Sequence, residues 1–157
     1  MKSDERRALG WSWAIGGAAA AMVSLFAAAI FYMVFYSYVI RPGGNEEFYR
    51  DYARRASPVV CAVAGVPAFF AISWWVGRRT SVRPVATALL TWCLFIILDQ
   101  SMVLAMGESS GWGSLLGWTS YATKLIAAIA GGVVAGRVAG RAPGAKTEAT
   151  GRRTAES

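Results

Sequence analysis

The sequence predicts an all-α, polytopic membrane protein: four transmembrane helices in an up-down bundle, with a short amphipathic helix on the extracytoplasmic face. Three observations carry that expectation. Of the 157 residues, 55% are hydrophobic, and the mean hydropathy is positive, a composition too apolar for a soluble domain with a polar shell. A hydrocarbon core about 30 Å thick takes about 20 mostly apolar residues per helix, and such stretches occur at 11–40, 58–77, 85–106 and 113–136. The connectors between them are too short to fold alone, so residues 1–140 read as one transmembrane domain. Residues 141–157, RAPGAKTEATGRRTAES, lack the apolar content needed for a core and read as a disordered basic cytoplasmic tail.

The first span follows the basic start MKSDERR, as a signal peptide would. Its apolar stretch far exceeds the roughly 7–15 residues of a cleavable signal, so it is expected to stay as an anchor. It is also longer than a bilayer requires and should tilt or project. Tyr32, Tyr36 and Tyr38 fall where an outer aromatic belt belongs. Trp11, Trp13, Trp74 and Trp75 fall at the inner ends of the first two spans, and Trp112 and Trp118 at the outer end of the fourth.

The outer loop, RPGGNEEFYRDYARRAS, has a design of its own. Pro42, Gly43 and Gly44 break the first helix, and Asn45 can cap a new one over 45–56, with Glu46 and Glu47 at its positive end and Arg54 and Arg55 at its negative end. Phe48, Tyr49, Tyr52, Ala53 and Ala56 share one face, while Glu46 with Arg50 and Asp51 with Arg55 are spaced to pair on the other. This segment is expected to lie on the outer surface of the membrane as a separate helix. Ser57 and Pro58 then restart the chain as cap and first-turn residue of the second span.

Within the second span, Gly65 and Pro67 lie at mid-membrane and predict a kink, because proline removes a backbone hydrogen bond. The turn GRRTSVRP predicts that the second and third helices are antiparallel neighbours, and GESSGWG does the same for the third and fourth. Lys2, Arg6, Arg7, Arg78, Arg79, Arg83, Arg137, Arg141, Lys146, Arg152 and Arg153 would all lie on one side, against Arg41, Arg50, Arg54 and Arg55 on the other. The positive-inside rule therefore places both termini in the cytoplasm of a cell whose plasma (inner) membrane holds the chain. The net charge of +7 is this same bias. It calls for anionic lipid at the cytoplasmic flanks, not for nucleic acid. The Ala, Gly and Arg bias suggests a bacterial source.

The chain contains no histidine, and its two cysteines, Cys61 and Cys93, differ in depth by roughly 10–15 Å. A disulfide, His-ligated metal or haem and Ser-His catalysis are thereby excluded. No cofactor, metal or catalytic residue is expected.

The stretch LFIILDQSMVLAM sets Asp99 and Gln100 inside an apolar run, roughly 10 Å from the outer surface, and Lys124 lies roughly 15 Å from the same surface in the fourth span. A charge at mid-bilayer costs about 2.5–3.5 kcal/mol, much of it offset by an opposite charge nearby. Asp99 and Lys124 are therefore expected to pair across the third and fourth helices. Gln100, Ser101, Thr119, Ser120, Tyr121 and Thr123 would supply hydrogen bonds. Gly117, Tyr121, Lys124, Ala128, Gly131 and Ala135 share a side of the fourth helix, and Gly132, Gly136 and Gly140 form a GxxxGxxxG series suited to close helix packing, within the chain or between subunits.

Glu108 and Asp99 lack any nucleophile pattern, and the Gly-rich segments follow no strand, so an enzyme is not expected. The reading is of a small non-enzymatic integral membrane protein, an accessory, assembly or helix-packing component with a structural Asp99–Lys124 pair, acting with a partner membrane protein or as a homo-oligomer. The alternative is an oligomeric ion- or proton-coupled transporter or channel subunit that uses Asp99 and Lys124.

Overall fold

A computed structural model of the chain describes residues 2–80, 83–105 and 115–140. Its elements are α1 (Lys2–Phe35), which continues as a π-helical turn at Tyr36–Ile40, α2 (Glu46–Arg79), α3 (Pro84–Ala105) and α4 (Leu115–Gly140). The described residues contain no strand. Four stretches, Gly10–Ile40, Glu46–Arg79, Pro84–Ala105 and Leu115–Ala139, are long and apolar enough to cross a membrane. Between 17% and 33% of the most apolar window of each is buried inside the chain. Large side chains such as Phe31, Val63 and Ile126 face outwards, as they would with lipid for a solvent. The tail 141–157, the GESSGWG loop, Trp112 and Glu108 lie outside the described residues.

The expected separate surface helix is not formed. Residues 46–56 are the first turns of α2, which passes through Pro58 and Pro67 without interruption. Proline's fixed φ suits a helix, and its missing donor removes one backbone bond without ending the element. What holds the segment in line is its aromatic face. The Phe48 and Tyr52 rings stack at 6.4 Å, and Tyr52 stacks on Tyr36 of the first helix at 3.9 Å and 11°. Tyr52, one of the residues expected to rest on a membrane surface, thus rests on the first helix. The cap itself is as expected: Asn45 accepts from the Phe48 amide at 2.9 Å, with Glu46 and Glu47 in the first turn. Gly43, at φ +84°, supplies the left-handed turn before it.

α1 and α2 run in opposite directions. Trp13 meets Trp75 edge-on at 5.3 Å at one end, and the Tyr32 and Tyr52 hydroxyls lie 2.8 Å apart at the other. α3 and α4 are also opposed, with Gly136 facing Pro84 and Gly132 facing Ala88. α2 and α4 run side by side in the same direction, with Gly65 at Lys124, Ser73 at Gly131 and Gly77 at Ala135. This α2–α4 interface is the most extensive in the protein, whereas α2 and α3, expected as close neighbours from their short connection, touch each other less than either touches α4.

Glycine is the reason. A Cβ on Gly131 would sit 2.5 Å from the Phe70 carbonyl oxygen, and one on Gly132 would sit 3.0 Å from the Val85 Cα, so backbones approach where side chains would hold them apart. Gly131 and Gly132 therefore serve packing within one chain, and Gly136 adds a looser contact with Pro84. Around this seam the core consists of Ala18, Ala21 and Leu25 of α1, Ala127 and Ala128 of α4, and the rings of Phe69 and Phe95, which meet edge to face at 4.8 Å.

Candidate functional site

The register of α3 on α4 decides which intramembrane polar groups meet. Stepping up from Gly132 opposite Ala88 brings Tyr121 level with Asp99 and Gln100, and leaves Lys124 about 4.5 Å deeper. Tyr121, not Lys124, is the group that meets Asp99. Its hydroxyl donates to Asp99 Oδ2 and accepts from Gln100 Nε2 at 2.5 Å. Trp92 Nε1 donates to the Tyr121 backbone carbonyl at 3.2 Å, a second tie between the same helices.

Lys124 is 4% exposed. No ion pair with Asp99 closes to within 4.0 Å, and among the described residues its ammonium has no hydrogen-bond partner. The expected direct Asp99–Lys124 pair is therefore corrected to an indirect one, for a geometric reason. The aliphatic stem of Lys124 lies along Gly65 of α2, which steers the side chain towards that helix. Its Nζ then lies 5.2 Å from the Phe95 ring centroid and 5.7 Å from that of Tyr121, where the negative faces of the rings attract a cation. Tyr121 is thus shared, its hydroxyl serving the carboxylate and its ring facing the ammonium.

Asp99, Gln100, Tyr121 and Lys124 form one cluster between α3, α4 and α2. Other side chains expected to contribute do not. Ser101 donates to the Ile97 carbonyl, Thr119 to that of Leu115, and Thr123 to those of Thr119 and Ser120, the local back-bonding that short hydroxyl side chains favour in helices. Gly117 is half-buried near the start of α4. Gly140 ends that helix. Cys61 and Cys93 are both free thiols, Cys61 half-buried against the core and Cys93 exposed.

No family model, curated protein or solved structure matches this chain. The chemistry of the cluster has to be read from its own geometry.

Sequence reasoning did not assign three residues to this site. Trp92 is the Trp placed far from either headgroup level, and an indole N–H at such depth needs an acceptor. Phe95 became significant only once the register put it beside Lys124. Gly65, read from the sequence as part of a kink, is also the bare surface against which the lysine stem packs. As for chemistry, the cluster offers one carboxylate, one amide, one phenol and one amine. Such a set can form a hydrogen-bonded tie between helices.

Proposed function

We propose that this chain is a small non-enzymatic, multi-pass protein of a bacterial inner membrane that acts as an accessory or assembly subunit. Its four spans form an up-and-down bundle with both termini in the cytoplasm, and its polar cluster is an internal latch. The observation that carries this reading is the Tyr121 hydroxyl, held on one side by Asp99 and on the other by Gln100. A group engaged twice is suited to fixing the register of α4 on α3. With α4 fixed, the glycine seam also sets α2. The large apolar area left on the outside of the helices is available to lipid and to the transmembrane helices of a partner.

The test is isolation of the full chain from its native membrane in mild detergent, with the intact assembly mass measured. A defined partner membrane protein in stoichiometric amount is the expected result. A homo-oligomer of this chain alone that carries proton-dependent flux in vesicles overturns it.

One observation favours a second reading, an oligomeric ion- or proton-coupled transport subunit. Lys124 is buried with no ion pair among the described residues, and an ionisable group inside a membrane without a direct counter-charge is expensive enough that function is the ordinary reason for keeping it.

A further inference from the structure

A groove opens sideways along α2, next to Tyr32 of α1, and no residue of the polar cluster lines it. It encloses about 640 Å³. Ala56, Val60 and Ala64 are among its lining residues, as are the exposed side chains of Val59 and Val63, with Arg55 at one end and Pro67 at the other. Tyr32 and Tyr52 also line it, but their hydroxyls bond to each other at 2.8 Å. The groove therefore presents hydrocarbon and ring carbon along its length, and one cation at its end.

That cation is available. Asp51 was spaced to neutralise Arg55, yet only Glu46 and Arg50 make such a pair among the described residues, at 2.7 Å. The groove also has a length that means something in a membrane. From Arg55 to Pro67 the helix rises about 18 Å, close to half of a hydrocarbon core roughly 30 Å thick, so the guanidinium lies at headgroup level when Pro67 lies near the midplane.

We propose that this groove holds one acyl chain of an anionic phospholipid, with the Arg55 guanidinium on the headgroup phosphate. A planar guanidinium offers two parallel donors to phosphate oxygens, and the net negative charge of the lipid supplies the preference over a zwitterionic one. A second copy of the chain fits less well. Close helix docking in lipid favours small residues along the whole contact, and although Ala56 and Ala64 are small, the exposed branched side chains of Val59 and Val63 stand between them and another backbone and leave room for a methylene chain. The proposal is independent of the polar cluster and of which leaflet the groove faces.

Delipidated full-length protein in mild detergent, titrated with phosphatidylglycerol or phosphatidylcholine of identical chains and read by native mass spectrometry, provides the test. The expected result is one phosphatidylglycerol bound about fivefold more tightly than phosphatidylcholine, the scale of one arginine at a membrane surface. Arg55→Gln should abolish that preference while residual binding of both lipids persists, and Arg54→Gln should leave it intact. Ala64→Phe should fill the groove and remove the bound lipid at unchanged helix content. If Ala64→Phe fails to fold, Val63→Trp, at a position already 71% exposed, blocks the same space. Equal losses of preference in the two arginine variants would reveal diffuse surface charge and overturn the proposal. So would undiminished lipid binding in the blocked variant, or its conversion from dimer to monomer, which would identify a second copy as the occupant.

Discussion

Lys124 lays its aliphatic stem across the bare Cα of Gly65, and a methyl group built on Gly65 runs into Lys124 Cε, with Cγ and Cδ each 3.2 Å away. The lysine is almost wholly buried, so it cannot simply swing into lipid. Gly65→Ala should therefore destabilise the bundle by about 1–3 kcal/mol, the usual cost of overpacking. Adding Lys124→Met should recover part of the loss, because a shorter, flexible thioether adapts where a buried ammonium does not. Reversible unfolding in mixed micelles measures both. Unchanged stability of Gly65→Ala would show that the two residues do not approach as described.

Tyr121 joins the carboxylate and the amide of α3 to α4. Hydrogen bonds between membrane helices average about 0.6 kcal/mol and reach about 1.7 kcal/mol, so Tyr121→Phe should cost roughly 1 kcal/mol. A cycle with Asp99→Asn should show coupling of at least 0.5 kcal/mol, the scale expected of residues in one network. Strict additivity in the same unfolding assay would mean that the phenol and the carboxylate act separately.

How much of this could be read in advance depends on which property each residue expresses. The four spans follow from length and apolarity, which lipid imposes on every turn, and the structure has four helices of the required kind. Asn45 as a cap was legible because capping is local. The continuity of α2 through Pro58 was not, since it is decided by stacking on Tyr36, a partner on another helix. The members of the polar cluster were visible as polar residues in apolar runs. Their partnerships were not, because a one-turn difference in register decides whether Asp99 meets Lys124 or Tyr121. Gly131 announced close packing, but the surface it meets belongs to α2, a partnership set by tertiary packing and not by local sequence.

The glycine seam makes a graded prediction. Gly131→Ala would place a methyl 2.5 Å from a backbone carbonyl that cannot rotate away, and should part α2 from α4 at a cost of about 1–3 kcal/mol. Gly136→Ala meets a single atom, Pro84 Cγ at 3.1 Å, and should cost less. Gly16→Ala, with nothing within 4 Å, should be neutral or slightly stabilising through helix propensity. Thermal aggregation midpoints in detergent should rank the three in that order, and a neutral Gly131→Ala would contradict the seam.

Ser73 sits fully buried beside Gly131, and its hydroxyl has no hydrogen-bond partner among the described residues. Leaving such a group unsatisfied costs about 1–3 kcal/mol. Ser73→Ala should therefore raise stability by up to about 1 kcal/mol once the lost packing of the oxygen is allowed for. A clear loss of stability would show that the hydroxyl is bonded.

Lys124 separates the two functional readings. Holding an ammonium at this depth costs about 2.5–3.5 kcal/mol, and desolvated aromatic faces such as those of Phe95 and Tyr121 return about 2 kcal/mol. Lys124→Met keeps the stem, removes the charge, and should stabilise the fold by about 1 kcal/mol. Under the latch reading this more stable variant still assembles with its partner, because register is fixed by Tyr121 and not by the lysine. A stabilised variant that assembles normally but loses proton-dependent flux would move the assignment to transport, since the charge would then have been kept against the interest of the fold. A destabilised variant would instead mean that the ammonium has an anionic partner, and the indirect arrangement through Tyr121 would have to be abandoned.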